Sequence, residues 1–205
     1  MSNLRFREFY RRRLPHIQIA GSTYFVTFRL KNSLPKDALE KLTAETARIK
    51  ELTKDVSEFE HRRWFGKFDD YLDRVICGEA FLNNEQVAAL IANSIHYRDG
   101  KVYDLVAFCI MPNHVHLVIT PLENSESDFY SLTKILQSLK RHTAKQSNLI
   151  LGRSDAFWQD ESYDHIVRNK SELEWIIKYV LNNPVKSGLV DDWTKWKWSY
   201  CKYDF

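Results

Sequence analysis

Bulky and β-branched residues alternate through Tyr24-Phe-Val-Thr-Phe-Arg-Leu30 and predict a first strand, entered from the turn signal Gly21-Ser-Thr. From Lys36 to about Lys54, Leu39, Leu42, Ala47 and Ile49 recur at helical spacing, with Pro35 near the start. Residues 55–81 are charged and aromatic without a clear period and read as an insertion or a helical excursion. Asn84 to Tyr97 predicts a helix: Asn83 or Asn84 caps it, Val87, Leu90, Ile91, Ser94 and Ile95 form its stripe, and Gly100 ends it. Lys101–Ile110 and His114–Pro121 then predict two strands joined by a short Met-Pro-Asn turn. A second long helix is expected from Ser127 to Gln146, with Leu132, Ile135, Leu136 and Leu139 inward and basic residues outward. Tyr163–Arg168 reads as a last short strand. A final helix opens on Ser171-Glu-Leu-Glu, carries Leu173, Ile176, Ile177, Val180 and Leu181, and is stopped by Pro184. The order strand–helix–strand–strand–helix–strand is the ferredoxin-like split βαβ pattern, an α+β fold with helices packed on a central antiparallel sheet.

At 205 residues the chain is long enough for one large domain, and 44% hydrophobic and 28% charged residues are ordinary for a globular protein. The expected organisation is a basic N-terminal arm over 1–22, the domain over 23–190 and an aromatic, basic tail over 191–205. The apolar run Val102–Thr120 is broken by Asp104, Pro112 and two histidines and is too short and polar for a membrane span. The arginine-rich start has no apolar core behind it, unlike a signal peptide. Cys77, Cys109 and Cys201 are odd in number and far apart, which fits a reducing cytoplasm; no Cys-x-x-Cys pair suggests structural zinc.

Net charge is only +3, but it is uneven. Arg5, Arg7, Arg11, Arg12 and Arg13 stand against Glu8 in the first thirteen residues. A second basic stretch holds Lys134, Lys140, Arg141, His142 and Lys145, and a third, Trp193-Thr-Lys-Trp-Lys-Trp-Ser-Tyr200, interleaves lysines with aromatics. Each alone is equally a solvated surface. Together they suit an anionic polymer, with arginines on phosphates and aromatic faces on unpaired bases.

Candidate chemistry centres on Met111-Pro-Asn-His-Val-His-Leu-Val-Ile119. Alternate side chains of a strand share a face, so His114 and His116 project together; two neutral imidazoles on a rigid strand can bind a divalent metal, or be satisfied locally in the fold. On the final helix Tyr179 and Asn183 lie one turn apart and can offer a phenol nucleophile and an amide oxygen ligand. A metal and a tyrosine are the parts needed to cleave a phosphodiester covalently. A histidine-triad nucleotide hydrolase would want a third histidine at position 118, where this chain has Val118.

With these residues in place the chain resembles the HUH single-tyrosine transposases, and among them the REP-associated tyrosine transposases. The resemblance is carried by Tyr10-Arg-Arg-Arg13, Leu14 to Arg29, Met111-Pro-Asn-His-Val-His116, Phe157-Trp-Gln159, Tyr163-Asp-His165 and Tyr179-Val-Leu-Asn-Asn-Pro-Val-Lys-Ser-Gly-Leu-Val190. Residues 55–81 match none of its motifs. It implies the HUH endonuclease fold and a metal-dependent nickase and strand transferase of single-stranded DNA at hairpins, working through a 5′-phosphotyrosine. It implies Tyr179 as nucleophile, His114 and His116 as ligands of Mg²⁺ or Mn²⁺, and Asn183 as third ligand where related transposases often carry Gln. A cytoplasmic bacterial protein, nucleoid-associated when bound to DNA, monomeric or homodimeric, follows. The alternative is a domesticated hairpin-binding protein that no longer cleaves. Arg11, Arg12, Arg13, Lys140, Arg141, Trp158, His165 and Arg168 are the candidate DNA contacts; aromatics beside a strand such as Trp158 and Tyr163 belong to the core more often than to DNA, His165 and Arg168 suit a structural role as well, and the arginine run reads as a DNA arm before a solubilising tail.

Overall fold

A computed structural model describes residues 6–11, 15–34, 72, 78–125 and 128–204. Its strands are β1 (Phe6–Arg11), β2 (Pro15–Ile19), β3 (Tyr24–Arg29), β4 (Tyr103–Ile110), β5 (His114–Pro121), β6 (Tyr163–Ile166) and β7 (Ser199–Cys201). Its helices are α1 (Glu85–His96), α2 (Leu132–Leu151) and α3 (Lys170–Lys186), with 3-10 turns at Phe81–Asn83 and Trp193–Lys195. The main sheet has the order β6-β3-β5-β4-β7, and every neighbouring pair is antiparallel. Strand β5 lies between β3 and β4, which is the split βαβ arrangement expected from the element order.

The period-2 pattern of the strands fills both faces of this sheet. On one face Tyr24, Val26, Phe28, Leu105, Phe108, Val115 and Leu117 pack against Val87, Ile91 and Ile95 of α1 and Ile135, Leu136 and Leu139 of α2. On the other, Phe25, Val106, Ala107, Cys109 and Val118 pack against Ile176, Ile177, Val180 and Leu181 of α3. Each large apolar side chain so buried contributes about 1.5–3 kcal/mol, enough to hold α3 firmly on its face. A bulge in β4 exchanges its faces: Leu105 pairs with Ile119 and Ala107 with Val118, so Val106 is the extra residue. Before the bulge odd residues face α1 and α2; after it they face α3.

Several boundaries differ from the sequence pattern. Helix α2 starts after Ser131 and runs to Leu151, where Gly152 takes the left-handed cap conformation (φ 64°), five residues later at each end than the stripe alone suggested. Ahead of it the chain doubles back on the end of β5, with Tyr130 N–H donating to the Leu122 carbonyl. Helix α3 is capped by Asn169, whose side chain accepts from Glu172 N at 2.9 Å, rather than by Ser171. Pro184 does not stop it: the proline lies in the last turn and the helix continues to Lys186. Proline can donate no N–H to the preceding turn, yet its own carbonyl accepts from Leu189 N at 2.9 Å as the helix closes.

The two terminal segments both carry strands. Within 1–22, β1 and β2 pair antiparallel, and Tyr24 Oη accepts from Ile19 N (2.6 Å) and donates to Ile19 O (2.7 Å). The 191–205 segment is an edge of the main sheet, since β7 pairs with β4 and Trp196 Nε1 donates to the Ile110 carbonyl at 3.0 Å. The helix expected over 36–54 and most of the 55–81 insertion lie outside the described residues. Of that insertion Leu72 is fully buried, and Gly78, at φ +84°, passes so near Asn32 that a Cβ would stand 2.7 Å from its carbonyl oxygen. Among the described residues no helix is long and apolar enough to cross a membrane.

Candidate active site

The face of the sheet covered by α3 carries three rows of cross-strand partners. Arg29 stands opposite His114; Tyr163, Thr27, His116 and Cys109 form the next row across β6, β3, β5 and β4; His165, Phe25 and Val118 form the third. His114 and His116 are both fully buried, and their Nε2 atoms face each other at 3.0 Å. Each ring is held from behind. His114 Nδ1 lies 2.7 Å from Asn113 Oδ1, and that amide is itself oriented because its Nδ2 donates to the Leu72 carbonyl at 2.9 Å. His116 Nδ1 lies 2.8 Å from Thr27 Oγ1.

These partners decide what the pair can do. Asn113 Oδ1 only accepts, so His114 carries its proton on Nδ1 and turns a lone pair of Nε2 toward His116. The Thr27 hydroxyl can donate or accept. When it accepts, His116 too is protonated on Nδ1, and two Nε2 lone pairs converge on one point. Imidazoles that ligate metals are held in this way through their far nitrogen. Two nitrogens about 2.1 Å from a common ion and at right angles around it lie about 3 Å apart, so the pair fits a small divalent cation. Among the described residues no cluster of three or more His, Cys, Asp and Glu side chains forms. The buried amide oxygen of Asn183 on α3 has the chemistry of a further ligand.

Helix α3 brings Tyr179 to the same place. Its half-buried ring stands edge-on to His116 with centroids 6.0 Å apart, edge-on to Phe25 at 6.3 Å, and stacked on Trp175 at 5.5 Å. Asn183 follows one turn later and is 1% exposed. The structure therefore gathers His114, His116, Tyr179 and Asn183 on one side of the sheet, from β5 and α3. Sequence reasoning missed Thr27, Asn113 and Arg29 as site residues. Asn113 adjoins the histidines in the motif, and Thr27 and Arg29 alternate on one face of their strand; only the β3–β5 register places them opposite the histidines. Arg29 is 7% exposed, with Nη1 3.2 Å from Ser33 Oγ.

The candidate DNA contacts do not gather in this way. Trp158 requires correction: it is 5% exposed, edge-on to Phe28 at 4.9 Å, and donates Nε1 to Thr143 Oγ1 at 2.9 Å, so its ring is spent on the core. Lys140 also has a structural task, its ammonium donating to the Gln159 and Asp160 carbonyls and to Ser162 Oγ at 2.6, 2.9 and 3.2 Å. His165 is tied to Glu172, Nε2 to Oε1 at 2.9 Å, while the other carboxylate oxygen accepts from the Arg168 backbone N–H at 2.6 Å. Burial raises the Glu172 pKa, but the Arg168 N–H, the His165 ring and their charges outweigh it and hold the carboxyl below its usual range. Arg141, on α2, and Arg168, after β6, are both exposed. Arg11 ends β1, whereas Arg12 and Arg13 lie outside the described residues.

The family model for IS200-like transposases matches residues 79–183. A Haemophilus influenzae protein named as a REP-associated tyrosine transposase is 28% identical over 102 residues, 47% of this chain and 58% of that protein. The REP-associated tyrosine transposase of Escherichia coli K12 is 25% identical over 105 residues, 51% of this chain and 58% of that one. The matched stretch thus spans 58% of the length of either relative. A solved structure, described as a REP-associated tyrosine transposase bound to a REP hairpin, superposes with a TM-score of 0.54 at 19% identity, covering 93% of this chain and 80% of that one. The likeness is one of fold: among the described residues an antiparallel five-stranded sheet carries three helices, the α+β HUH architecture.

Proposed function

This chain belongs to the IS200-like transposase family, and on that premise we propose that it is a metal-dependent nickase and strand transferase of single-stranded DNA, acting at hairpins. One observation carries the reading: a histidine pair with Nε2 atoms 3.0 Å apart on β5 meets, 6.0 Å from His116, the ring of a tyrosine on α3. The relatives' names as tyrosine transposases, and the hairpin bound to the structural neighbour, support the substrate class.

His114 and His116 would hold Mg²⁺ or Mn²⁺, with Asn183 as the amide ligand. Bound there, the ion supplies positive charge to the scissile phosphate. Tyr179 Oη attacks phosphorus and gives up its proton, the bond from phosphorus to the 3′-oxygen breaks, and that oxygen takes up a proton. A 5′-phosphotyrosine and a free 3′-OH remain. One phosphodiester has been exchanged for another, so a second 3′-OH can attack the phosphotyrosine and rejoin DNA without ATP. Phe25 and Trp175, in ring contact with Tyr179, restrict its swing and lower the cost of orienting the attack. Arg11, Arg12, Arg13, Arg141 and Arg168 remain the candidates for phosphate contact. The setting is the bacterial cytoplasm, beside nucleoid DNA.

The test is incubation of the protein with end-labelled hairpin DNA and Mg²⁺, followed by denaturing electrophoresis. A denaturant-resistant adduct that needs Tyr179 is the expected result. Tight hairpin binding with no adduct under any divalent metal would leave the alternative, a binder that does not cleave.

A further inference from the structure

Beside the nucleophile, Trp175, Lys178, Tyr179, Asn182, Lys186 and Trp193 line an open hollow of about 490 Å³. That volume lies in the range of small-ligand pockets, roughly 300–1,000 Å³, and suits a nucleotide. Its walls combine aromatic and cationic groups, together with Leu181 and Asn182. Trp175 and Trp193, both half-buried, supply indole surface, while Lys178 and Lys186 bring ammonium groups; no carboxylate lines it among the described residues. Trp193 stands on the 3-10 turn that follows α3, which Asp192 fixes by accepting from Thr194 N at 2.9 Å. Of the three tryptophans in the aromatic and basic C-terminal stretch, Trp196 is bonded to Ile110 and Trp198 packs against the α1 and α2 side of the core. Trp193 alone of the three reaches this hollow.

We propose that the hollow docks the base of the first nucleotide 3′ of the scissile phosphate. This rests on the nickase reading above and names the part of the substrate that the tyrosine retains. Attack by Tyr179 Oη leaves the phenol joined to that nucleotide's 5′-phosphate, so its sugar and base are tethered within one nucleotide's reach of the ring. The hollow adjoins that ring, and indole faces stack on any base, which gives grip without reading sequence. Lys178 and Lys186 complement the phosphates on either side. A base held there keeps the covalently bound strand in place until the second 3′-OH arrives.

The experiment measures binding of full-length protein, without divalent metal so that no cut occurs, to synthetic hairpins carrying one abasic site at successive positions around the cleavage point. The wild-type protein should lose about 5- to 150-fold in affinity when the base 3′ of the cut is absent. Trp193→Ala should lose a similar factor on intact DNA and little more on the abasic strand, and Trp193→Phe should recover most of the loss. If hairpins bind tightly while no abasic position near the cut matters, or only one 5′ of it does, the docking inference falls and the nickase reading stands. Wild-type affinity in Trp193→Ala has the same consequence. A wild-type protein that binds no hairpin removes both.

Discussion

Replacing Thr27 by valine tests how the histidine pair is prepared. Valine has nearly the shape of threonine and opens no cavity, so only the hydroxyl 2.8 Å from His116 Nδ1 is removed. Thr27 is 2% exposed and His116 fully buried, so no solvent replaces that partner. An unmatched buried polar group costs about 1–3 kcal/mol. The imidazole avoids part of that cost by moving its proton to Nε2, where the lone pair of His114 Nε2 can accept it at 3.0 Å. That tautomer cannot ligate, and returning to the ligating one costs about what the hydroxyl had supplied. Removal of such supporting partners weakens metal binding about 10- to 100-fold, or about 1.4–2.7 kcal/mol, in agreement with the cost of the unmade hydrogen bond. Calorimetric titration with Mn²⁺ reads the affinity, and urea unfolding without metal checks that the fold persists. Thr27→Ser, which keeps the hydroxyl, should bind close to wild type. Unchanged Mn²⁺ affinity in a folded Thr27→Val protein would refute the reasoning, for the Thr27 bond would then have no part in metal binding.

Tyr179→Phe should abolish the covalent adduct and leave hairpin affinity within about twofold, because only the phenolic oxygen goes while the ring contacts with Phe25 and Trp175 remain; an adduct formed by the purified variant sinks the nucleophile. His114→Ala and His116→Ala should each lose Mn²⁺ binding and cleavage together, and wild-type metal affinity in both would make the pair structural. Glu172→Gln should destabilise by about 1–3 kcal/mol at neutral pH, since the amide cannot accept from both the Arg168 N–H and His165. The folded carboxyl titrates below its unfolded value, so its contribution is full above the ordinary carboxylate range and is lost as pH falls through the folded value; urea curves for the two proteins that fail to converge on acidification would contradict this. Changing Arg11, Arg12 and Arg13 to glutamine should weaken hairpin binding and make its salt dependence shallower by roughly 0.7–0.9 for each phosphate no longer neutralised, whereas identical slopes would mark a solubilising role.

The order of residues alone determined what depends on near neighbours. Strand β5 begins and ends where its sequence predicts, at His114 and Pro121, and α1 is capped by Asn84, one of the two asparagines its sequence offers, because strand period and N-caps are set within one or two turns of backbone. The sharing of a face by His114 and His116, and by Tyr179 and Asn183, was legible for the same reason. Tertiary structure decided the rest. The Val106 bulge exchanges the faces of β4, which strict alternation would have kept constant, and so provides Cys109 and Met111 as packing for the α3 side. Between base stacking and the core, the contact of Trp158 with Thr143 decided for the core, and Lys140 is bonded to the Gln159–Ser162 segment, a partner no local pattern announces. Tyr200 of the C-terminal aromatic stretch came to lie in an edge strand because β4 had an open side for β7. The meeting of Tyr179 with His116, and of Thr27 with that same ring, depends on strand register and on how α3 seats on the sheet. Those are long-range contacts, and no local pattern encodes which distant surface will be buried against which.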